Sequence, residues 1–178
     1  SNVNKVLTDF INTGVYDRNR KFHTTISPSM DILISSNLER LLYFTVGSEK
    51  TAAYMDSLKK TGAYTVDAEA LAAIQENFCG YFADEKATAE TIRRTYREHG
   101  YLADTHTAVA ISAAEQYVAE SGDNRPMIVA STASPYKFAA DVYTSLTGEK
   151  SESDLAALDL YRPGMVIELG KTGGVETR

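Results

Sequence analysis

Helix punctuation constrains this chain more than any other feature: apolar residues at helical spacing repeatedly begin after Ser or Asp and end at Gly. Ser27-Pro28 sets a capping hydroxyl before a proline at the first helical position, and Ile32, Leu33, Leu38, Leu41 and Leu42 then recur up to Gly47. The spacing predicts a largely buried helix there. Ser48 opens a second helix through Met55 and Leu58 to Gly62, where a left-handed stop suits glycine. Asp67 opens a third with Leu71, Ile74 and Phe78 on one face, and a fourth runs from Thr88 to His99 before Gly100. The charges of that fourth helix, Glu90, Arg93, Arg94, Arg97 and Glu98, read as a solvated face. Asp104 caps a fifth, whose stripe of Ala108, Val109, Ile111, Ala114 and Val118 is small enough for close packing. Ser134-Pro135 opens a sixth that ends near Gly148, and a further helix covers Ser151 to Leu160.

Strand signals are few. Met127-Ile128-Val129-Ala130 is short and continuously apolar, the pattern of a strand buried on both faces of a parallel sheet, and Met165-Val166-Ile167-Glu168-Leu169 reads the same way. Many helices around few strands predict an α/β fold, helix-rich, with a small, mostly parallel sheet. The 178 residues, 43% of them apolar, suffice for one core. The expected organisation is a single domain over residues 1–169, with a flexible Gly-rich tail over 170–178. Because the chain opens on Ser1-Asn2-Val3-Asn4 without Met, we expect a piece cut from a longer protein.

Several partner classes are excluded. The net charge is −6 and the basic residues are scattered, which is not the footprint of a nucleic-acid binder. Apolar runs such as Leu41-Leu42-Tyr43-Phe44 fall far short of the roughly 20 residues a membrane span needs. The first fifteen residues alternate polar and apolar without the apolar core of a signal peptide. One cysteine, Cys79, cannot form an internal disulfide and is expected to be a buried thiol in a reducing cytoplasm.

Local motifs leave alternatives open. Gly164 to Thr172 looks like a P-loop, but five residues separate Gly164 from Gly170-Lys171 where the motif has four. His23, His99 and His106 lack metal-ligand spacing, so no metal site is expected. His106, in Asp104-Thr105-His106-Thr107, sits at a helix start whose N–H groups could hold an anion, or is simply part of a capping turn. Ser131-Thr132 follows the apolar strand at the edge where α/β proteins place ligands, so these hydroxyls are either ligand contacts or caps.

Four ordered segments carry a resemblance. They are Asn2-Val3-Asn4-Lys5-Val6-Leu7; Thr25-Ile26-Ser27-Pro28-Ser29-Met30-Asp31-Ile32 with its continuation Ser36-Asn37-Leu38-Glu39-Arg40; Asp104-Thr105-His106-Thr107-Ala108-Val109-Ala110; and Ser131-Thr132-Ala133-Ser134-Pro135-Tyr136-Lys137-Phe138. Together they resemble, over roughly residues 1 to 145, the C-terminal portion of threonine synthase. The resemblance implies part of a tryptophan synthase β-like fold that uses pyridoxal phosphate (PLP). It also implies a carbon–oxygen lyase acting on phosphates, which converts O-phosphohomoserine and water to threonine and phosphate.

By the same resemblance Thr132, with Ser131 as fallback, faces the pyridine nitrogen of PLP, and Asn2 and Asn4 belong to the cofactor wall. His106 is a candidate substrate contact. The family commonly has Asp where this chain has Lys5, and Asp-Pro-His-Thr where it has Thr105. None of Lys5, Lys21, Lys50, Lys59, Lys60, Lys86, Lys137, Lys150 or Lys171 lies in the context of the Schiff-base lysine, and the Gly-rich phosphate cup has no counterpart. No catalytic residue is therefore assigned to this chain, which is expected to be inactive by itself. Its expected partner is the N-terminal part of the same enzyme, with self-association through exposed apolar surface also expected. The alternative is a stand-alone binding or assembly module that kept the fold without the catalysis.

Overall fold

The structure is a computed structural model and describes residues 1–160. It divides into two compact units: residues 1–25 with 29–82, and residues 26–28 with 83–160.

The first unit is built on α1 (Val6–Thr13), β1 (Val15–Asp17), α2 (Ser36–Thr61), β2 (Ala63–Thr65) and α3 (Ala68–Gln75). In α1, Val6 and Phe10 lie four apart and are both buried, the one-face pattern of a helix packed on a core. β1 and β2 pair antiparallel with Tyr16 opposite Tyr64, and their rings stack at 5.2 Å. Tyr54 of α2 stacks on the other side of Tyr64 at 5.3 Å, and Phe10 meets both Tyr16 and Tyr64 edge-on. Leu38, Leu42, Leu58 and Ile74 complete this core.

The Tyr16 hydroxyl donates to the Leu33 carbonyl and accepts from the Ser35 N–H, both at 3.0 Å, which fixes the chain just before α2. The Tyr64 hydroxyl has no partner among the described residues, and burial pushes its pKa well above the usual phenol value. Segment 80–81 lies directly on α1. Thr8 donates to the Tyr81 carbonyl at 2.8 Å and Asn12 to the Gly80 carbonyl at 3.0 Å. A Cβ on Gly80 would stand 2.9 Å from the backbone of Thr8, so the approach requires glycine.

The second unit contains α4 (Glu85–His99), α5 (Thr105–Ser121), α6 (Ala139–Thr147) and α7 (Asp154–Leu160). Ile92, Leu102, Ala103, Ala108 and Val142 form its core, and the alanines let α4 and α5 approach closely. Asp84 and Asp104 cap α4 and α5 through their side chains, and Gly100 and Gly122 end them in left-handed conformation. The punctuation read from the sequence holds at both ends of α5 and at the Gly100 end of α4, whereas α4 starts three residues earlier than the Thr88 expected, at a cap, Asp84, that was not read.

Several expectations are corrected. The helix expected from Pro28 begins only at Ser36: Pro28–Met30 is a single 3-10 turn, and the Asp31 side chain is drawn into hydrogen bonds that hold the chain out of a helix. Of its residues to Gly47 only Leu38 and Leu42 are buried, while Tyr43 and Phe44 face outward. Gly47 breaks the helix where the sequence placed a stop, as a bend with non-helical φ 79° and ψ 176° within α2. Cys79 is exposed, not buried. The charged face of α4 is only partly solvated, because Arg93 donates to the Ser145 carbonyl at 2.9 Å and Arg94 grips Glu115 of α5 with both terminal nitrogens.

The sheet differs most. Among the described residues the one sheet is the antiparallel β1–β2 pair, not a mostly parallel one, and residues 127–130 form no strand. Apolar composition marks a segment able to enter a sheet, but a strand exists only with a ladder partner. Here Ile128 is 98% exposed and no described strand lies alongside. The strand expected at 165–169 and the glycine-rich run that resembles a P-loop lie outside the described residues.

Candidate functional site

The sequence candidates fall into two hydrogen-bonded clusters, one in each unit.

In the first unit, Asn2 and Asn4 are 1% and 3% exposed. Asn2 Nδ2 donates to Thr25 Oγ1 at 2.9 Å and to Asp31 Oδ1 at 2.7 Å. Asn4 Nδ2 donates to the His23 carbonyl at 2.7 Å and to Asp31 Oδ1 at 3.1 Å, while its Oδ1 accepts from the His23 N–H at 2.9 Å. Thr25 completes the cluster with its hydroxyl on Asp31 Oδ1 at 2.7 Å and its N–H on Oδ2 at 2.8 Å. Both amide nitrogens have therefore spent both hydrogens on protein acceptors, and Asp31 is the hub that joins the N-terminal segment to the 25–31 turn. Sequence reasoning noted Asp31 only as one letter of a longer run. A lone carboxylate between apolar residues, following two asparagines, was the available signal for a polar anchor.

In the second unit the centre is Asp104, 1% exposed at the start of α5. Its Oδ1 accepts from the N–H groups of His106 at 2.9 Å and Thr107 at 3.2 Å, so the helix-start donors considered for an anion are satisfied by the chain's own carboxylate. His106 Nδ1 lies 3.2 Å from the same oxygen and 3.3 Å from Thr105 Oγ1. The His106 ring is buried and sits 4.7 Å from the Phe138 ring. Thr107 Oγ1 donates to Asp104 Oδ2 and lies 3.2 Å from Ser131 Oγ, which is 3.0 Å from the Tyr101 hydroxyl. The neighbouring Tyr101 and Thr107 thus both meet Ser131, which follows them by 30 and 24 residues. Thr132 itself is exposed, and its hydroxyl makes no hydrogen bond among the described residues. Tyr101 and Thr107 were missed, because nothing in their local pattern says which loop they will face.

Beside this cluster the outer face of α5 and residues 127–129 line an apolar groove of about 360 Å³, with Ile111, Ala114, Val118, Met127 and Val129 as walls. No group of three His, Cys, Asp or Glu suited to a metal occurs among the described residues, and no described helix is long and apolar enough to cross a membrane.

Known proteins resemble this chain in sequence and in fold. The family described as "Threonine synthase, C-terminal" matches residues 107–167, which include Thr107, Ser131 and Thr132. Threonine synthase of Saccharomyces cerevisiae is 34% identical over 164 residues, covering 83% of this chain and 32% of the relative. The crystal structure of yeast threonine synthase superposes with a TM-score of 0.79 at 32% identity, over 96% of this chain and 36% of that one. The chain is similar to the C-terminal portion of threonine synthases. A PLP-bound threonine synthase structure from Brucella melitensis agrees, with a TM-score of 0.76, 28% identity and coverage of 98% of this chain and 40% of that one. The chain thus spans about a third of the length of the threonine synthases it matches. Members of the family are lyases by this kinship, and PLP is the cofactor named for the Brucella relative.

The residues present fit one wall of such a cofactor site. An exposed, uncommitted hydroxyl at Thr132, on a turn anchored to a buried carboxylate, can meet a ring nitrogen. Lys5 is held by Asp9 at 3.6 Å and the Phe82 ring at 4.7 Å, Lys50, Lys60 and Lys86 pair with neighbouring carboxylates, and none of the described lysines is buried.

Proposed function

We propose that this chain forms one wall of a threonine synthase active site, in an enzyme that converts O-phosphohomoserine and water to threonine and phosphate. The observation that carries the reading is the Ser131-Thr132 turn, held from beneath by Thr107 and Asp104 and presenting an exposed hydroxyl, within a chain similar to this family. PLP supplies an electron sink when bound. In this reading Thr132 meets the pyridine nitrogen and keeps the ring in register. Ser131 and Tyr101 brace the turn. Asn2 and Asn4 have their amide hydrogens committed to Asp31, Thr25 and His23, which leaves none to donate to a cofactor. His106, its ring oriented by Asp104, is the residue to test for substrate contact.

The chain alone should be inactive, since no described lysine is placed to hold the cofactor and a buried catalytic amine must be supplied from elsewhere. The remaining two thirds of a threonine synthase is the natural source. The exposed Ile128 and Met127 and the apolar groove behind them are what such a partner would cover, and left bare they would favour self-association.

The test is direct. The purified 178-residue chain, incubated with PLP and O-phosphohomoserine, should release no phosphate and show no yellow lysine-bound cofactor. Stoichiometric PLP trapped by borohydride on one specific lysine, with phosphate release, would overturn the inactivity. A coding region upstream of Ser1 lacking both a Gly-rich loop and a lysine in threonine-synthase context would favour the stand-alone binding module instead.

A further inference from the structure

Segment 131–138 is attached to the first turn of α5 at both of its ends. At the near end Ser131 Oγ lies 3.2 Å from Thr107 Oγ1. At the far end the half-buried Phe138 ring, where the 3-10 turn Pro135–Phe138 gives way to α6, lies 4.7 Å from the His106 ring. The two anchors are adjacent residues, and one carboxylate holds both. Asp104 Oδ1 accepts from the His106 N–H at 2.9 Å and lies 3.2 Å from His106 Nδ1, while Oδ2 accepts from the Thr107 hydroxyl. Asp104, His106 and Thr107 are 1%, 5% and 2% exposed, so little water competes for these contacts. A helix cap needs only the backbone N–H groups. Asp104 does more, since it also meets the side chains of the two residues that reach segment 131–138.

We propose that Asp104 is a positioning residue for the candidate cofactor wall: through Thr107 and His106, one buried carboxylate holds both ends of the segment that carries Thr132. That the segment meets a cofactor rests on the reading above, whereas the anchoring does not. Releasing either anchor leaves the segment tied at the other end, and releasing the shared carboxylate loosens both. In this arrangement His106 acts through Phe138 and needs no contact with substrate.

The experiment uses the isotope-labelled 178-residue chain. Through-space NMR signals between the His106 and Phe138 rings, and between Thr107 and Ser131, report the two ends. Exchange of the Lys137 amide, which donates to the Ser134 carbonyl at 3.1 Å, reports order along the segment. Serine caps a helix about as well as aspartate but carries one oxygen in place of two and no charge. In Asp104→Ser, α5 should therefore stay protected while both signals weaken and the Lys137 amide exchanges roughly fivefold faster or more, the ratio for one lost hydrogen bond. Signals that persist, or exchange that rises in α5 as much as in the segment, overturn the proposal. Thr107→Val and His106→Ala keep the carboxylate and serve if Asp104→Ser does not fold. Each should free one end alone, and an effect on both ends, or on neither, overturns the proposal. In the complete enzyme, retention of PLP through dialysis separates the two claims. Asp104→Ser and Thr132→Ala should each lose PLP roughly fivefold faster than the unsubstituted enzyme. Full retention in Thr132→Ala overturns the cofactor reading. Loss in Thr132→Ala with full retention in a folded Asp104→Ser overturns the positioning role.

Discussion

Replacing Asp31 by Ala should cost the first unit about 4 kcal/mol. Four donors converge on this carboxylate: Asn2 Nδ2 at 2.7 Å, Asn4 Nδ2 at 3.1 Å, Thr25 Oγ1 at 2.7 Å and Thr25 N at 2.8 Å. Hydrogen bonds to a charged acceptor are each worth roughly 1.5–3 kcal/mol net, which sets an upper bound well above the expected loss. Asp31 is half-buried, so water can enter and serve the Thr25 groups. Asn2 and Asn4 are buried, so each is left with one unsatisfied amide hydrogen at about 1–3 kcal/mol apiece. Their sum brackets the estimate. Asp31→Asn keeps one acceptor oxygen but turns an NH2 toward a donor, and should cost about half as much. Urea unfolding followed by circular dichroism gives the totals, and a loss of about 4 kcal/mol is a large share of an ordinary folding free energy. Amide hydrogen exchange locates it: protection should fall across residues 2–31 before it falls in α5. A loss below about 1 kcal/mol for Asp31→Ala, or exchange changes confined to the second unit, would falsify the hub assignment and return Asn2 and Asn4 to consideration as cofactor donors.

Thr132→Ala in the complete enzyme should lower kcat roughly tenfold or more with a small change in KM, and Thr132→Ser should retain most activity; unchanged kcat in a folded, PLP-loaded Ala variant removes Thr132 from the site. Gly80→Ala should destabilise the first unit by about 1–3 kcal/mol, because its Cβ would meet the Thr8 backbone at 2.9 Å and force α1 and segment 80–81 apart. A melting temperature equal to that of the unsubstituted chain would contradict this. Asp67 caps α3 and pairs with Lys50 at 2.8 Å, and the Lys50 hydrogen bond, then the Ala70 N–H, hold its pKa below the usual carboxylate value. A lowered folded pKa adds stability that is fully present above the unfolded value near 3.8 and is lost as pH falls through the folded value. Asp67→Asn should therefore melt slightly lower than the unsubstituted chain at pH 7, with the difference lost as pH falls through the lowered folded pKa and the gap at pH 7 shrinking in high salt.

Helix boundaries were legible in the sequence because they are local chemistry. A cap such as Asp104 bonds N–H groups two and three residues on, and a glycine such as Gly100 turns the chain at the next residue, so neither depends on the rest of the molecule. Exceptions mark the places where distant groups won. Residues 28–35 carry helix signals, yet Asp31 is claimed by Asn2 and Asn4, and the chain remains non-helical until Ser36. α1 went unread because an eight-residue helix shows little more than two turns of pattern, and β1 and β2 because three residues cannot display a strand period.

The family was legible from four ordered segments, and with it Thr132 and Ser131 as candidates. Their separate roles were not. Ser and Thr have the same donor and acceptor inventory, so no sequence argument distinguishes adjacent hydroxyls. Only the tertiary structure brings Tyr101 and Thr107 onto Ser131. The physical reason is range: capping and propensity act over three or four residues and are written in the local sequence, whereas the partners a hydroxyl meets are set by what the fold carries to it from 24 residues away.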